Sequence, residues 1–372
     1  MLLLIARRLR EVHAAIALLL IAFAVGSSEP AYGQVSGNAG DLRFGMDVPP
    51  DVDQITSQAL QHLVSTQLPA GNWGDGHDVH KSGRENPGVT GLALMAMLST
   101  GEDPNSGPYA AETRAALRYI IVTQNPETGF LPNTMYNHGF AMLALAEAYG
   151  AIDETLLWSD LKTEVAADKR RKVGEALRLA VDCAVRSQRQ NPRKAWRYGP
   201  DSKDADASVV GAMLVGLLAA RNAGVPVPDE SIADALDYMK ASTSRRSGTT
   251  GYTLGSFGNS GGSNLSAISA LTMSIGQKQD WEHCEAASRH ISKFVDQLDS
   301  SYPFYNMYYM GQALFQTDYE SWKRWNAITI RRLRRMQKED GSFNSSHGKA
   351  YATSMACLAL ALNYRFLPVY ER

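Results

Sequence analysis

Cysteine is scarce in this chain, and what is scarce or missing limits its class before any motif is considered. Only three of the 372 residues are cysteine. Cys183, Cys284 and Cys357 each lie in an apolar, helix-favouring context without CxxC spacing. An odd number of thiols with no paired spacing does not predict a disulfide framework or a structural zinc site. We interpret the three side chains as small buried hydrophobes, and we expect neither a metal nor a cofactor.

An excess of either charge is also missing. Lysine and arginine total 37 against 38 aspartates and glutamates, which gives a formal net charge of −1. Without a basic stripe the chain has no electrostatic footprint for nucleic acid, so we expect no nucleic-acid partner. GxSxG, P-loop and strand-flanked GxGxxG motifs are absent as well. These absences exclude the commonest hydrolase and nucleotide-binding classes.

The first 33 residues have the pattern of a secretory signal peptide. Three arginines within residues 7–10 precede the apolar run Ala14–Val25, and Ala31-Tyr32-Gly33 is a small-x-small site. The run is shorter than the roughly 20 residues of a membrane-spanning helix, and an uncleaved N-terminal anchor is the alternative. We predict an exported protein, periplasmic or extracellular, with no transmembrane span in the mature chain. Residues 34–50 are expected to be flexible, and residues 51–372 to form one domain.

Six segments share one plan: an amphipathic helix, a polar turn with an aromatic residue, and a second helix rich in Ala, Leu and Met. They are Gln54–Leu98, Ala111–Tyr149, Val173–Ala220, Ser231–Ile275, Trp281–Phe315 and Trp322–Leu362. The first and last turns, Gln67–Trp73 and Gln337–Phe343, have the same spacing, Gln-x3-Gly-x-aromatic. We expect the glutamine to bond to the turn backbone, the glycine to supply a positive φ, and the aromatic to pack on the neighbouring hairpin.

The two helices of a segment differ in pattern. In Val173–Gln188 apolar residues recur every fourth position opposite a charged face, which predicts a helix with one wet side. Phe140–Ala148, Val209–Ala220 and Met355–Leu362 are apolar almost all round, which predicts burial. Outer amphipathic and inner apolar helices indicate two concentric rings, because a hairpin of this kind must stack on neighbours to bury its face. The predicted fold is an all-α (α/α)6 toroid.

Several stretches of the chain resemble a known family. The turns Gln67–Trp73 and Gln337–Phe343 resemble the repeats of squalene-hopene cyclases and protein prenyltransferase β-subunits. Met135–Ala141, Trp196–Pro200, Asp204–Val209 and Tyr351–Arg372 look like a group of exported bacterial proteins named for prenyltransferase/squalene-oxidase repeats. The resemblance covers about residues 50–372. It implies the α/α toroid and no particular activity.

Two residues are candidates for catalysis. The run Asp204-Ala205-Asp206-Ala207 resembles the DxDD motif of class II terpene cyclases, in which the middle aspartate is the general acid, but its last aspartate is replaced by Ala207. The resemblance implies that Asp206 is an acid; the alternative is that Asp206 caps the helix that follows. His138 opens the second inner helix as a proton shuttle or binding group, or else as a hydrogen-bonded packing histidine.

Aromatic residues in the turns or near inner-helix starts are candidates for binding, because these starts converge on one rim of a toroid. The predicted binding residues are Tyr136, Trp196, Tyr198, Asp204, Tyr305, Tyr308 and Tyr351; packing between repeats is the alternative for each aromatic. We favour a non-catalytic binding or scaffolding module for an apolar, isoprenoid-type ligand or an envelope protein. The alternatives are a cyclase-like enzyme that uses Asp206, and a carbohydrate-active barrel with paired acids. A shortened acidic run and a single ring open to water weigh against the cyclase.

Overall fold

The computed structural model describes residues 48–74, 86–161, 164–256 and 262–370. The predicted signal peptide lies outside these ranges, as does most of the segment 34–50. The described residues contain twelve α-helices and, apart from one bridge between Thr243 and Thr250, no β-pairing. The helices are α1 Pro50–Thr66, α2 Pro87–Ser99, α3 Ala110–Thr123, α4 Met135–Tyr149, α5 Val173–Gln190, α6 Ala207–Asn222, α7 Asp229–Ala241, α8 Gly262–Ile275, α9 Glu282–Ile291, α10 Pro303–Thr317, α11 Tyr319–Met336 and α12 Lys349–Leu360. Within the described ranges no helix combines the length and hydrophobicity of a membrane span.

The even-numbered helices form a closed inner ring. Each packs against the next even-numbered helix, and α12 returns to pack against α2. Each odd-numbered helix lies outside, against the inner helix of the preceding hairpin; α1, α5, α7, α9 and α11 also pack against the inner helix of their own hairpin. The predicted toroid of six hairpins is therefore confirmed.

Burial follows the two sequence patterns. Every residue of α2 is buried, from Pro87 to Ser99, as an all-apolar helix requires. Helix α5 instead buries the face of Val173 and Leu177 and exposes Glu175 and Arg178. The three cysteines are free and buried, as the sequence predicts.

The same turn geometry recurs within the molecule and joins neighbouring hairpins. The Gln337 side-chain amide donates to the Gly341 carbonyl of its own turn at 3.0 Å and to the Ile55 carbonyl of α1 at 2.9 Å, which links the last hairpin to the first. Three other glutamines make the same pair of bonds: Gln67 to Gly71 and Glu112, Gln124 to Gly129 and Ala176, and Gln188 to Lys194 and Ser231. The glutamines thus stabilise the ring closure itself.

The turn glycine is required for two reasons. Gly341 has a φ of +79°, and a Cβ at this position would lie 2.2 Å from the Gln58 carbonyl oxygen of α1. The turn aromatic of the last hairpin packs as expected, since the Phe343 ring lies edge-on against Phe304 of the preceding hairpin at a centroid distance of 5.7 Å. The Trp73 indole N–H donates to the Leu63 carbonyl of its own outer helix at 2.8 Å. The hydrogen-bonded link between repeats is therefore made by glutamine and not by the aromatic residue.

The C-terminal segment lies across the end of the inner ring where the inner helices finish. The backbone N–H of Val369 faces the Glu147 carboxyl of α4. The Gln316 side chain of α10 donates to the Tyr370 carbonyl at 2.7 Å. The Tyr308 and Tyr370 hydroxyls are hydrogen-bonded to each other. The ring is consequently covered at this end.

Candidate ligand-binding site

All six inner helices begin at the same end of the ring, which we call the turn rim, and they surround a cavity of about 390 Å³, the rim cavity. Its wall consists of inner-helix starts and of the turns that precede them. Seven aromatic side chains line it: Tyr136, Phe140, Tyr198, Tyr252, Tyr302, Tyr305 and Tyr351. The other lining residues are Asn86, Gly88, Val89, Leu92, Asn133, Thr134, Asn137, Ser208, Asn264, Leu265 and His347. The predicted convergence of the inner-helix starts on one rim is confirmed.

The aromatic wall is a set of rings in mutual contact. The Tyr136 ring packs edge-on against Phe140 at a centroid distance of 5.1 Å and lies 6.4 Å from Tyr305. Burial raises the pKa of both phenols well above the usual value, so they are neutral. Phe140 and Leu92 lie one turn further along their helices than Tyr136 and Gly88, and they form part of the floor. The deep part of the cavity is therefore aromatic and aliphatic.

Three of the four asparagine side chains in the wall are already engaged. Asn86 caps α2, since its side-chain oxygen accepts from the Val89 N–H at 3.2 Å and from the Asn137 amide at 2.6 Å. The Asn137 oxygen accepts from the Thr134 hydroxyl at 2.6 Å. Asn264 donates to Asp299 at 2.9 Å, and its oxygen accepts from Asn306 at 2.6 Å. These amides hold helix starts together and have little capacity left for a ligand.

Asp206 does not line the cavity. It is buried at the N-terminus of α6, where its Oδ1 accepts the Ser208 N–H at 2.9 Å and the Ser208 hydroxyl at 2.6 Å. This is the geometry of a helix N-cap. The capping interpretation is confirmed, and the surroundings do not favour the catalytic one.

His138 is fully buried behind the wall. Its Nδ1 accepts the Leu131 N–H at 3.0 Å, and its Nε2 lies 3.0 Å from the Ala180 carbonyl, to which it donates in the neutral ring. Burial lowers the pKa of the imidazole to about 4, against the opposing effect of the Ala180 carbonyl. Both nitrogens are occupied by backbone groups, which is the arrangement expected of a hydrogen-bonded packing histidine.

The predicted binding residues divide into two groups. Tyr136, Tyr198, Tyr305 and Tyr351 line the rim cavity. Asp204, Trp196 and Tyr308 do not.

Each of these three side chains has partners outside the rim cavity. The carboxylate of Asp204 is exposed and paired with Arg197. Trp196 is buried and donates from its indole to the Ala184 carbonyl at 2.9 Å. Tyr308 is buried in the ring interior, against the C-terminal segment.

Sequence reasoning missed four ring-bearing residues of the wall: Phe140, which lies inside α4, and three residues in the turns before inner helices. Tyr252 and Tyr302 come from the turns that precede α8 and α10, and Tyr302 directly precedes its helix. His347, in the turn before α12, has its ring 5.6 Å from that of Tyr302 and 5.2 Å from that of Tyr351. Their position just before an inner helix, shared with Tyr198, is the signal that identifies them. In the described part of the chain, no group of three or more His, Cys, Asp or Glu side chains has the geometry of a metal site.

Comparisons with known proteins show which solved structures share this fold. No family model matches the chain, and no curated protein matches its sequence. Solved structures do match in fold. The α-1,6-mannanase GH76A from Salegentibacter sp. HEL1_6 superimposes with a TM-score of 0.57 at 9% identity, covering 85% of this chain and 99% of that one. An inactive variant of it in complex with α-1,6-mannotetrose gives a TM-score of 0.59 at 10% identity, over 84% and 98%.

A terpene cyclase matches to the same degree. The type II terpene cyclase MstE from Scytonema has a TM-score of 0.57 at 14% identity, covering 86% of this chain and 100% of that one. At these identities the likeness concerns the fold and not the activity. The chain has the α/α toroid fold that type II terpene cyclases and GH76 mannanases share.

Proposed function

We propose that the protein is a binding module that takes a neutral, largely apolar ligand of the isoprenoid kind into the rim cavity and does not convert it. The observation that carries the proposal is the composition of the wall. Seven aromatic rings and the aliphatic Val89, Leu92 and Leu265 line it, and its described residues include no carboxylate, lysine or arginine. Such walls favour apolar ligands, and a volume of about 390 Å³ suits a small molecule.

The engaged amides favour an apolar ligand over a sugar. A sugar places many hydroxyls against the wall, and each one without a partner costs desolvation free energy on binding. Asn86, Asn137 and Asn264 are committed to one another, to helix caps or to neighbouring side chains. An isoprenoid chain makes no such demand and contacts the ring faces directly.

The similar structures are consistent with this ligand class but do not extend to the reaction. A variant of MstE has been crystallised with geranylgeranyl dihydroxybenzoate, so that toroid accepts an isoprenoid chain. A cyclase requires an acid that faces the substrate. Asp206, the candidate for this role, is committed to Ser208 as a cap and is not part of the wall. The cyclase alternative is therefore the weaker one.

A glycosidase is weaker still. Glycoside hydrolysis generally uses two carboxylates that flank the bond to be cleaved. The inactive mannanase variant carries alanine in place of two consecutive aspartates. This chain contains no two consecutive aspartates, and the described wall of the rim cavity has no carboxylate. In our proposal the protein acts after export, and an envelope protein is the alternative partner.

The test is ligand binding by a cavity-filling variant and by its matched control. Purified protein is titrated with farnesol, a neutral isoprenoid alcohol, by calorimetry. Val89→Trp fills the rim cavity, while Val122→Trp makes the same exchange on the partly exposed outer helix α3. We expect Val89→Trp to weaken farnesol binding at least about tenfold, and Val122→Trp to leave it unchanged.

Two outcomes would overturn the proposal. Equal affinities for the wild type and a Val89→Trp variant with an unchanged circular dichroism spectrum would place the ligand elsewhere. A cyclised product after incubation with squalene or farnesol, detected by mass spectrometry, would show that the protein is an enzyme.

A further inference from the structure

The exposed apolar side chains of the described residues are unevenly distributed. Seven large hydrophobic side chains are exposed, and four of them belong to the turns around the rim cavity. These are Tyr198, Tyr252, Leu254 and Tyr302, with 38–49% of each side chain accessible. The other three, Leu68, Tyr149 and Phe366, come from three separate parts of the chain. Grouped exposure of this kind marks an interaction surface more often than scattered exposure does.

The members of this group suit a lipid surface. Tyrosine has an apolar ring and a polar hydroxyl, so it is stable where hydrocarbon meets water. Three of the four residues are tyrosines, and all three also line the rim cavity. The exposed patch and the cavity wall are therefore one continuous aromatic surface, which runs from the turn rim to the floor at Phe140.

We infer that the turn rim docks on a lipid bilayer, with Tyr198, Tyr252, Leu254 and Tyr302 entering the interface so that the ligand passes between membrane and cavity without crossing water. This inference rests on the proposed function, since the continuity of the two surfaces matters only for an apolar ligand. The bilayer is favoured over a protein partner because an apolar ligand resides in lipid and must leave it through an apolar opening.

Charge predicts which lipids are needed. Arg197, whose guanidinium lies 6.0 Å from the centre of the Tyr198 ring, is already paired with Asp204. Asp299, beside Tyr302, accepts the Ser301 and Tyr302 N–H groups and the Asn264 amide. These two charges next to the aromatic surface are thus paired or hydrogen-bonded. Docking is expected on zwitterionic lipid and with little dependence on salt, in contrast to docking by a polybasic patch.

The experiment is flotation of the purified protein with phosphatidylcholine vesicles. The chain offers a matched pair of variants, because Leu254 and Leu68 are 41% and 43% exposed and neither lines the rim cavity. We expect Leu254→Asp to lower the vesicle-bound fraction at least about tenfold, since a charge enters the interface. Leu68→Asp is expected to float like the wild type.

The outcomes separate this inference from the proposed function. Farnesol binding in solution is expected to be unchanged in Leu254→Asp, and flotation to be unchanged in Val89→Trp. If Leu254→Asp floats like the wild type, or if neither it nor the wild type floats, membrane docking is wrong even when farnesol binds. If farnesol fails to bind while flotation depends on Leu254, the cavity ligand is wrong and the docking surface remains. Flotation only with anionic vesicles, abolished by salt, would overturn the aromatic basis of docking.

Discussion

The two ends of α4 each bury a titratable side chain, and they do so in opposite ways. His138, near the rim cavity, has both ring nitrogens paired with backbone groups, and burial lowers its pKa to about 4. Glu147, nine residues later, has one buried carboxyl oxygen without a hydrogen-bond partner, and burial raises its pKa to about 8. Both are therefore neutral at pH 7.

Burial disfavours the charged form of both groups, but their polar atoms are satisfied differently. The neutral His138 ring is matched by one backbone donor and one backbone acceptor. Glu147 faces the Val369 N–H and the phenols of Tyr308 and Tyr370, and it stays protonated because a charge there would be poorly solvated. At the open end of the ring, the buried His138 is stabilised by its hydrogen bonds. At the covered end, Glu147 is stable only while its carboxyl is protonated.

The largest expected effect follows from removing the paired side chain. His138→Leu leaves the Leu131 N–H and the Ala180 carbonyl buried without partners. Since each such group costs about 1–3 kcal/mol, we expect the free energy of unfolding at pH 7 to fall by about 3 kcal/mol. Urea denaturation measures it. The control is His283→Leu, at a partly exposed histidine of α9, for which we expect a change within about 0.5 kcal/mol. Equal losses in both variants would contradict the role of the two bonds.

A smaller effect concerns pH at the covered end. The pKa of Glu147 is about 8 in the native state against an ordinary value of 4.5, so the native protein keeps a proton that the unfolded chain releases. Stability from this group is complete below pH 4.5 and is lost as pH rises through about 8. From pH 6.5 to 8 the free energy of unfolding is expected to fall by about 2 kcal/mol, at about 1.4 kcal/mol per pH unit.

The titration of His138 cancels this loss of stability below pH 6.5. Between pH 4.5 and 6.5, unfolding takes up a proton at the histidine and releases one at the glutamate, so the two contributions to the pH dependence cancel. Glu147→Gln is expected to be flat from pH 6.5 to 8, where the wild type declines. The exposed Glu175→Gln serves as control and should decline like the wild type. If Glu147→Gln declines to the same extent, the carboxyl is not the source.

The comparison also shows how far sequence reasoning reaches. The stretch Phe140–Ala148, apolar almost all round, predicted the inner ring because a helix without a polar face must be buried on every side. Two polar residues of that helix, His138 and Glu147, are visible in the sequence, but their environments are not. His138 contacts Ala180, which is 42 residues away, and Glu147 faces Val369 at the other end of the chain. Contacts of this range depend on the curvature of the whole ring.

The same limit applies to the rim cavity. Tyr136 and Tyr198 were predicted from their places next to inner-helix starts, and they line the wall. Tyr308 satisfied a similar criterion, but it lies a further turn along α10 and points into the covered interior. One helical turn decides between the two environments, and sequence position alone does not resolve it. Asp206 shows the converse: the capping rule correctly predicted its hydrogen bond, which a family motif does not address.

The smallest expected effect is at Asp206. This residue caps α6 at the open end of the ring, whereas a cyclase would need it as a general acid. Asp206→Ala removes the bonds to Ser208 and should cost about 1 kcal/mol, and Thr134→Ala, the equivalent cap of α4, should cost about the same. Asp206→Asn retains an accepting oxygen and should change stability by a few tenths of a kcal/mol. Farnesol binding, measured by calorimetry, should stay within about twofold in both Asp206 variants, because the side chain is not part of the wall. An amide can replace the carboxylate as a cap but cannot supply an acidic proton. A loss of binding or of product formation in Asp206→Asn without a loss of stability would therefore mean that the carboxylate acts on the ligand.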